Sequence, residues 1–124
     1  MSVNPLEAYQ SVEKATLSGR ELEASVLIRA AVRLSEVKQL WGQVGYEELL
    51  DEALRYNQRL WTLFQAELTE AENPLPTEIK NNLLSLSAFV DKRSFDMLAY
   101  PELGKLDILI AINQNIAAGL RGEK

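Results

Sequence analysis

The chain has 124 residues, 47% hydrophobic and 25% charged, with a formal net charge of −5 and a pI near 4.8. It holds no cysteine and no histidine. Disulfides, thiolate nucleophiles and Cys-ligated metals are therefore excluded, and the commonest general base and transition-metal ligand is missing.

This length fits one domain, residues 1–124, with a core that needs neither disulfide nor metal. Periodicity is helical throughout, with no sustained strand alternation. Asn4-Pro5-Leu6-Glu7 has the signature of a start: Asn as N-cap, Pro at N1 and Glu at N3. It predicts a short first helix to about Leu17. Ser18-Gly19-Arg20-Glu21 is a second start with capping-box spacing. The helix it opens places Leu22, Val26, Leu27, Ala30, Ala31, Leu34, Val37 and Trp41 on one side. It ends near Gly42, and Gly45 completes a short connection.

A third helix is predicted from about Tyr46 to Ala71, spanning roughly 39 Å at 1.5 Å per residue. Its stripe is Leu50, Ala53, Leu54, Asn57, Leu60, Trp61, Phe64 and Leu68. Asn73-Pro74-Leu75-Pro76 stops it. A fourth helix runs from near Pro76 to about Ala99, with Ile79, Leu83, Leu86, Phe89, Val90 and Met97 inward, and ends at Tyr100-Pro101. A fifth puts Leu106, Leu109, Ile110, Asn113, Ile116, Ala117 and Leu120 in phase. The expected fold is all-α: a bundle of four main antiparallel helices plus the short N-terminal one, joined by short connections.

The charge is uneven. Residues 46–72 carry seven acidic and two basic side chains, whereas the two signs balance in 1–45, 73–100 and 101–124. The whole imbalance belongs to the third helix. Such a chain lacks the basic footprint of a general nucleic-acid binder. No window reaches the ~18 apolar residues of a membrane span. Residues 1–20 show no basic start followed by an apolar stretch. The expectation is a cytoplasmic protein with no membrane insertion.

Five separated blocks carry a family resemblance: RELEA (20–24), LDEALRYNQRLWTLF (50–64), NPLP (73–76), IKNNLLSLSAFVDKR (79–93) and LIAINQNIAAGLRG (109–122). In order and spacing they resemble the FlaF family, small flagellar biosynthesis regulators of alphaproteobacteria. The resemblance implies a role in flagellin synthesis and export: a chaperone that holds flagellin before secretion, or a regulator of its translation. It also implies flagellin as partner, with an FlbT-like regulator beside it. Direct nucleic-acid binding is not expected, and neither is an enzyme, a cofactor, a metal or a small-molecule substrate.

Several side chains are candidates for partner binding. Trp61 and Phe64 share the inner stripe and read as core. Trp41, at a helix end, and Tyr56, off the stripe, have the placement of interface anchors, with partial burial as the alternative. Arg59 pairs with Arg55 one turn away, a spacing that could touch phosphates, but Asp51 is placed to bind Arg55 at i,i+4. Arg29 and Arg33 form a similar pair.

Glu67, Glu70 and Glu72 sit where the helix dipole disfavours them. Either they extend an acidic surface toward a partner or the helix frays near Thr69. Arg93 lies at the edge of the fourth helix's inner face. It would snorkel or pair with Asp51, Glu52 or Asp96. Glu47, Glu48, Asp51 and Glu52 read as a charged first turn. Asn57 and Asn113, in phase with apolar residues, read as a buried polar contact that fixes helix register.

Overall fold

The computed structural model describes the backbone of residues 5–122 and the side chains of residues 20–122. Four helices follow one another: α1 (Pro5–Gln39), α2 (Tyr46–Leu68), α3 (Thr77–Ala99) and α4 (Gly104–Leu120). No strand occurs among the described residues. The short N-terminal helix expected from Asn4 to about Leu17, with the restart at Ser18-Gly19, falls on residues whose side chains lie outside those described.

The core is built where apolar residues recur every three or four positions, the period that keeps them on one side of a helix. In α1 these are Ala24, Leu27, Ala30, Leu34 and Val37. In α2 they are Leu50, Ala53, Leu54, Leu60 and Trp61, and in α4 Leu106, Leu109 and Ala117. The alanines of α1 and α4 are small enough for close approach, and these two helices share the most extensive interface. Lys38 near the end of α1 meets Asp107 in the first turn of α4 at 2.7 Å, and Arg121 meets Glu21 at 3.4 Å. Both pairs are solvent-exposed and add little to stability.

The connections follow their residues. α1 stops at Gln39, and the chain turns through Gly42 and Gly45 at φ of 84° and 87°. A β-carbon is disfavoured in that left-handed region, so glycine is required there. α2 ends at Leu68 with Thr69 as its C-cap, shorter than the expected end at Ala71. Glu70 and Glu72 therefore lie beyond the helix, and only Glu67 meets the unfavourable end of the dipole.

Asn73 secures this end. Its Nδ2 donates to the Glu67 carbonyl at 3.0 Å, and its Oδ1 accepts from the Leu75 amide at 3.0 Å. One side chain thus gives the Glu67 carbonyl, which also accepts from the Glu70 amide, a second donor and closes an Asx turn. Pro76 has the extended backbone of an N-cap for α3.

α3 differs from expectation in the face it buries. It packs on α2 and lightly on α4, with no interface to α1 among the described residues. Its buried residues are Ser87, Val90, Ser94 and Met97. Ile79 and Phe89, expected inside, are exposed, and Leu83 and Leu86 are half-buried. A helix touching mainly one neighbour buries only a narrow stripe, and two small serines occupy part of it. Gln65 of α2 donates from Nε2 to Ser87 Oγ and to Asp91 Oδ2 at 2.9 Å, joining the two helices. Leu22 of α1, also expected inside, is 66% exposed.

A buried hydrogen-bond chain crosses the core. Trp61 Nε1 donates to Asn113 Oδ1 at 3.0 Å, and Asn113 Nδ2 donates to Asn57 Oδ1 at 2.7 Å. Its direction is forced, because an indole N–H can only donate. Asn113 must therefore turn its oxygen to Trp61 and its amide to Asn57. Asn57 Nδ2 is left without a protein partner. This chain ties α2 to α4 at one register, as expected for the two asparagines.

Candidate functional site

Where α2 ends, the four helices leave a cleft of about 370 Å³. α2 supplies its floor: Trp61 at the base, then Phe64 and Leu68. The Trp61 and Phe64 rings meet edge to face, 5.6 Å apart at 90°, a preferred aromatic geometry. Pro74 and Leu75 of the following turn form one side, Leu83 of α3 another, and Ile116 and Leu120 of α4 a third. The Asn73 bridge, also at the wall, holds the proline turn against the end of α2.

The mouth carries charge. Arg20 and Glu23 come from α1 and Glu67 from α2. Burial pushes the Glu23 carboxyl above its ordinary value of 4.5, the negative charge of Glu67 pushes it further, and Arg20 partly offsets both. Two like charges thus share one cleft with an otherwise largely apolar lining.

This has a consequence for stability. A raised folded-state value means that the folded protein holds the Glu23 proton more tightly than the unfolded chain does. Ionisation therefore destabilises the fold as pH rises through and above 4.5, and the effect vanishes well below that value. Glu23→Gln is expected to melt above the parent protein at pH 7, with the gap closing toward pH 3.5 in parallel thermal melts. A variant melting below its parent at pH 7 would contradict the assignment.

A second cleft of similar volume lies between α1 and α2, walled by Arg33, Glu36 and Glu52 together with Val37, Leu49 and Ala53. Its charges are of both signs and its surface more polar. The cleft at the end of α2 is the apolar one, the character of a binding site.

The structure disperses the six candidate partner residues. Glu67 is on the rim of the apolar cleft, and exposed Glu70 follows just beyond α2. Trp41 is half-buried past the far end of α1, its ring 5.0 Å from that of Tyr46. Roughly 24 Å of helix rise separates Glu23 from Gln39, so Trp41 belongs to the opposite end. Tyr56 is half-buried beneath the Arg33 guanidinium, 4.3 Å from its ring centre, a cation–π contact between α1 and α2.

Arg59 is exposed on α2, and its neighbour Arg55 is engaged by Asp51 at 2.9 Å as the spacing implied. Arg93 lies 5.2 Å over the Phe89 ring of its own helix. Among the described residues it forms no salt bridge with Asp51, Glu52 or Asp96.

Sequence reasoning missed Arg20, Glu23 and Leu75 as members of one site, and it assigned Phe64, Leu83, Ile116 and Leu120 to a closed core. Their stripes do point inward, but they converge at an end where the described side chains leave a cleft.

No described helix is long and apolar enough to cross a membrane. No curated protein and no solved structure matches this chain. The family model described as flagellar protein FlaF matches residues 5–120, nearly the whole length. On that match the chain belongs to the FlaF family of flagellar proteins.

Proposed function

We propose that this protein is a non-enzymatic cytoplasmic chaperone of flagellin that serves flagellin synthesis and flagellum assembly. The observation that carries the reading is the apolar cleft at the end of α2, floored by aromatics and belonging to a flagellar protein. A helical flagellin segment with an apolar ridge would otherwise drive premature association, and a groove between helices shields such a ridge. The same reading takes the four helices as an antiparallel bundle. Its support for α1 and α4 is the pairing of Lys38 with Asp107 and of Glu21 with Arg121. Translational control is then a consequence of free flagellin occupying the protein.

The test is a titration of the purified protein against monomeric flagellin, with the flagellin mRNA leader as a parallel ligand. Saturable, stoichiometric binding to flagellin is expected, with shallow salt dependence and none to the leader. Binding to the leader alone, with affinity falling steeply with salt, would replace this reading with direct action on mRNA. Binding to neither ligand would overturn it and leave an FlbT-like partner as the next ligand to try.

A further inference from the structure

We infer that the cleft at the end of α2 selects an amphipathic helix bearing a lysine or arginine beside its apolar ridge, with that cation seated between Glu23 and Glu67. The inference rests on the chaperone reading and specifies the chemistry its partner must present.

Phe64, Leu83 and Ile116 give the cleft an interior that rewards an apolar side chain. Its mouth is held by Glu23 from α1 and Glu67 from α2, and the only counter-charge among the described lining residues is Arg20, one turn before Glu23. Glu70 and Glu72 are exposed in the segment between Glu67 and Asn73, outside the cleft lining. The cleft sets the Glu67 charge close to Glu23, whose proton affinity is raised first by burial and then by that charge.

A bound cation would reverse the sign of that interaction. A bound anion would worsen it, which disfavours phosphates and nucleic acid. A partner helix with an acidic residue at that position would be rejected by the same pair, so the rim gives discrimination as well as attraction. An arginine would reach both carboxylates with its planar fork, and a lysine would act as a point charge.

Two probes test this on the full-length chain. The first is monomeric flagellin, titrated against the parent protein, Glu67→Gln, Glu67→Lys and Leu75→Glu. Glu67 is exposed and Leu75 lies in a turn at the cleft wall, so all three variants should fold, and the two Glu67 variants should melt no lower than the parent, because they remove a charge that opposes Glu23 ionisation. Expected affinity losses are about threefold for Glu67→Gln and at least tenfold for Glu67→Lys and Leu75→Glu.

The second probe is a pair of designed amphipathic peptides, identical except for lysine or glutamate beside the leucine ridge. The lysine peptide should bind at least tenfold more tightly, with the preference removed by Glu67→Lys. If flagellin binds every variant as well as it binds the parent, the cleft is not the site, and this inference fails while the chaperone reading stands. If flagellin fails to bind at all, that reading fails, and the peptide pair still decides the chemistry of the cleft. Equal binding of the two peptides, or binding of neither, overturns the inference. So does concentration-dependent self-association that Leu75→Glu abolishes, which would give the cleft to a second copy.

Discussion

Trp61→Ala should be among the most damaging single substitutions in this chain, destabilising it by about 3–5 kcal/mol. Trp61 is 1% exposed and is the largest of the fully buried side chains. Truncation removes the ring packed edge to face against Phe64 and opens a void at the base of the cleft. It also removes the N–H that satisfies Asn113 Oδ1, leaving a buried acceptor without its donor. Single domains have total stabilities of about 5–15 kcal/mol, so the variant would lose a large share of its stability.

Urea unfolding measures this directly, as a lower midpoint at unchanged slope. Trp61→Phe separates the two contributions. It keeps most of the apolar volume and loses the N–H, so it should destabilise by less than the alanine variant, on the order of 1–3 kcal/mol for the unpaired acceptor. A Trp61→Ala protein as stable as its parent would show that the indole is not in the core.

That Trp61 belongs to the core was legible from spacing alone. Leu50, Ala53, Leu54, Asn57, Leu60 and Trp61 share a stripe at intervals of three and four, and all six are buried. The same rule served α4, whose buried residues Leu106, Leu109, Asn113 and Ala117 were all in phase. It served α3 poorly, because periodicity reports which side is apolar and not how wide a strip the neighbours cover. Ile79 and Phe89 continue the apolar side of α3 past the area α2 can reach. Ser87 and Ser94 lie within that area and carry no hydropathy signal. Ser94 satisfies itself by donating to the Val90 carbonyl at 2.7 Å, a local bond that lets a serine sit in a helix interior.

The cleft was less legible for a related reason. Glu23 and Glu67 are far apart in sequence, and only the packing of α1 on α2 sets them across one opening. The helix dipole flagged Glu67 as misplaced, and this was the one sequence signal that led to the site. Glu23 gave none, since a glutamate near the start of an amphipathic stripe is ordinary. Trp41 and Tyr56 were singled out as amphipathic aromatics in conspicuous positions. Each is half-buried and has an intramolecular partner, Tyr46 and Arg33, that no spacing rule could supply.

Asn57 and Asn113 show the same boundary from the other side. That each sits buried and in phase was predictable. That they meet was not, and their pairing makes a quantitative prediction of unequal effects. Asn113 is the middle link and makes two buried hydrogen bonds, to Trp61 and Asn57, whereas Asn57 makes one and leaves its Nδ2 unpartnered. Asn113→Ala strands the Trp61 N–H and the Asn57 oxygen together. At about 1–3 kcal/mol for each buried group left unsatisfied, the expected loss is roughly 2–6 kcal/mol.

Asn57→Ala strands only the Asn113 amide and also removes the already orphaned Nδ2, so its loss should be smaller, about 1–2 kcal/mol. In the double variant both Asn57 orphans are gone. The second substitution should then destabilise far less in the Asn113→Ala background than in the parent, giving a coupling of about 1 kcal/mol in a double-mutant cycle. Urea midpoints of the four proteins decide it. Equal losses for the two single variants, or strict additivity, would mean that the chain from Trp61 through Asn113 to Asn57 does not act as one network. The two asparagines would then be independent polar residues in an otherwise apolar core.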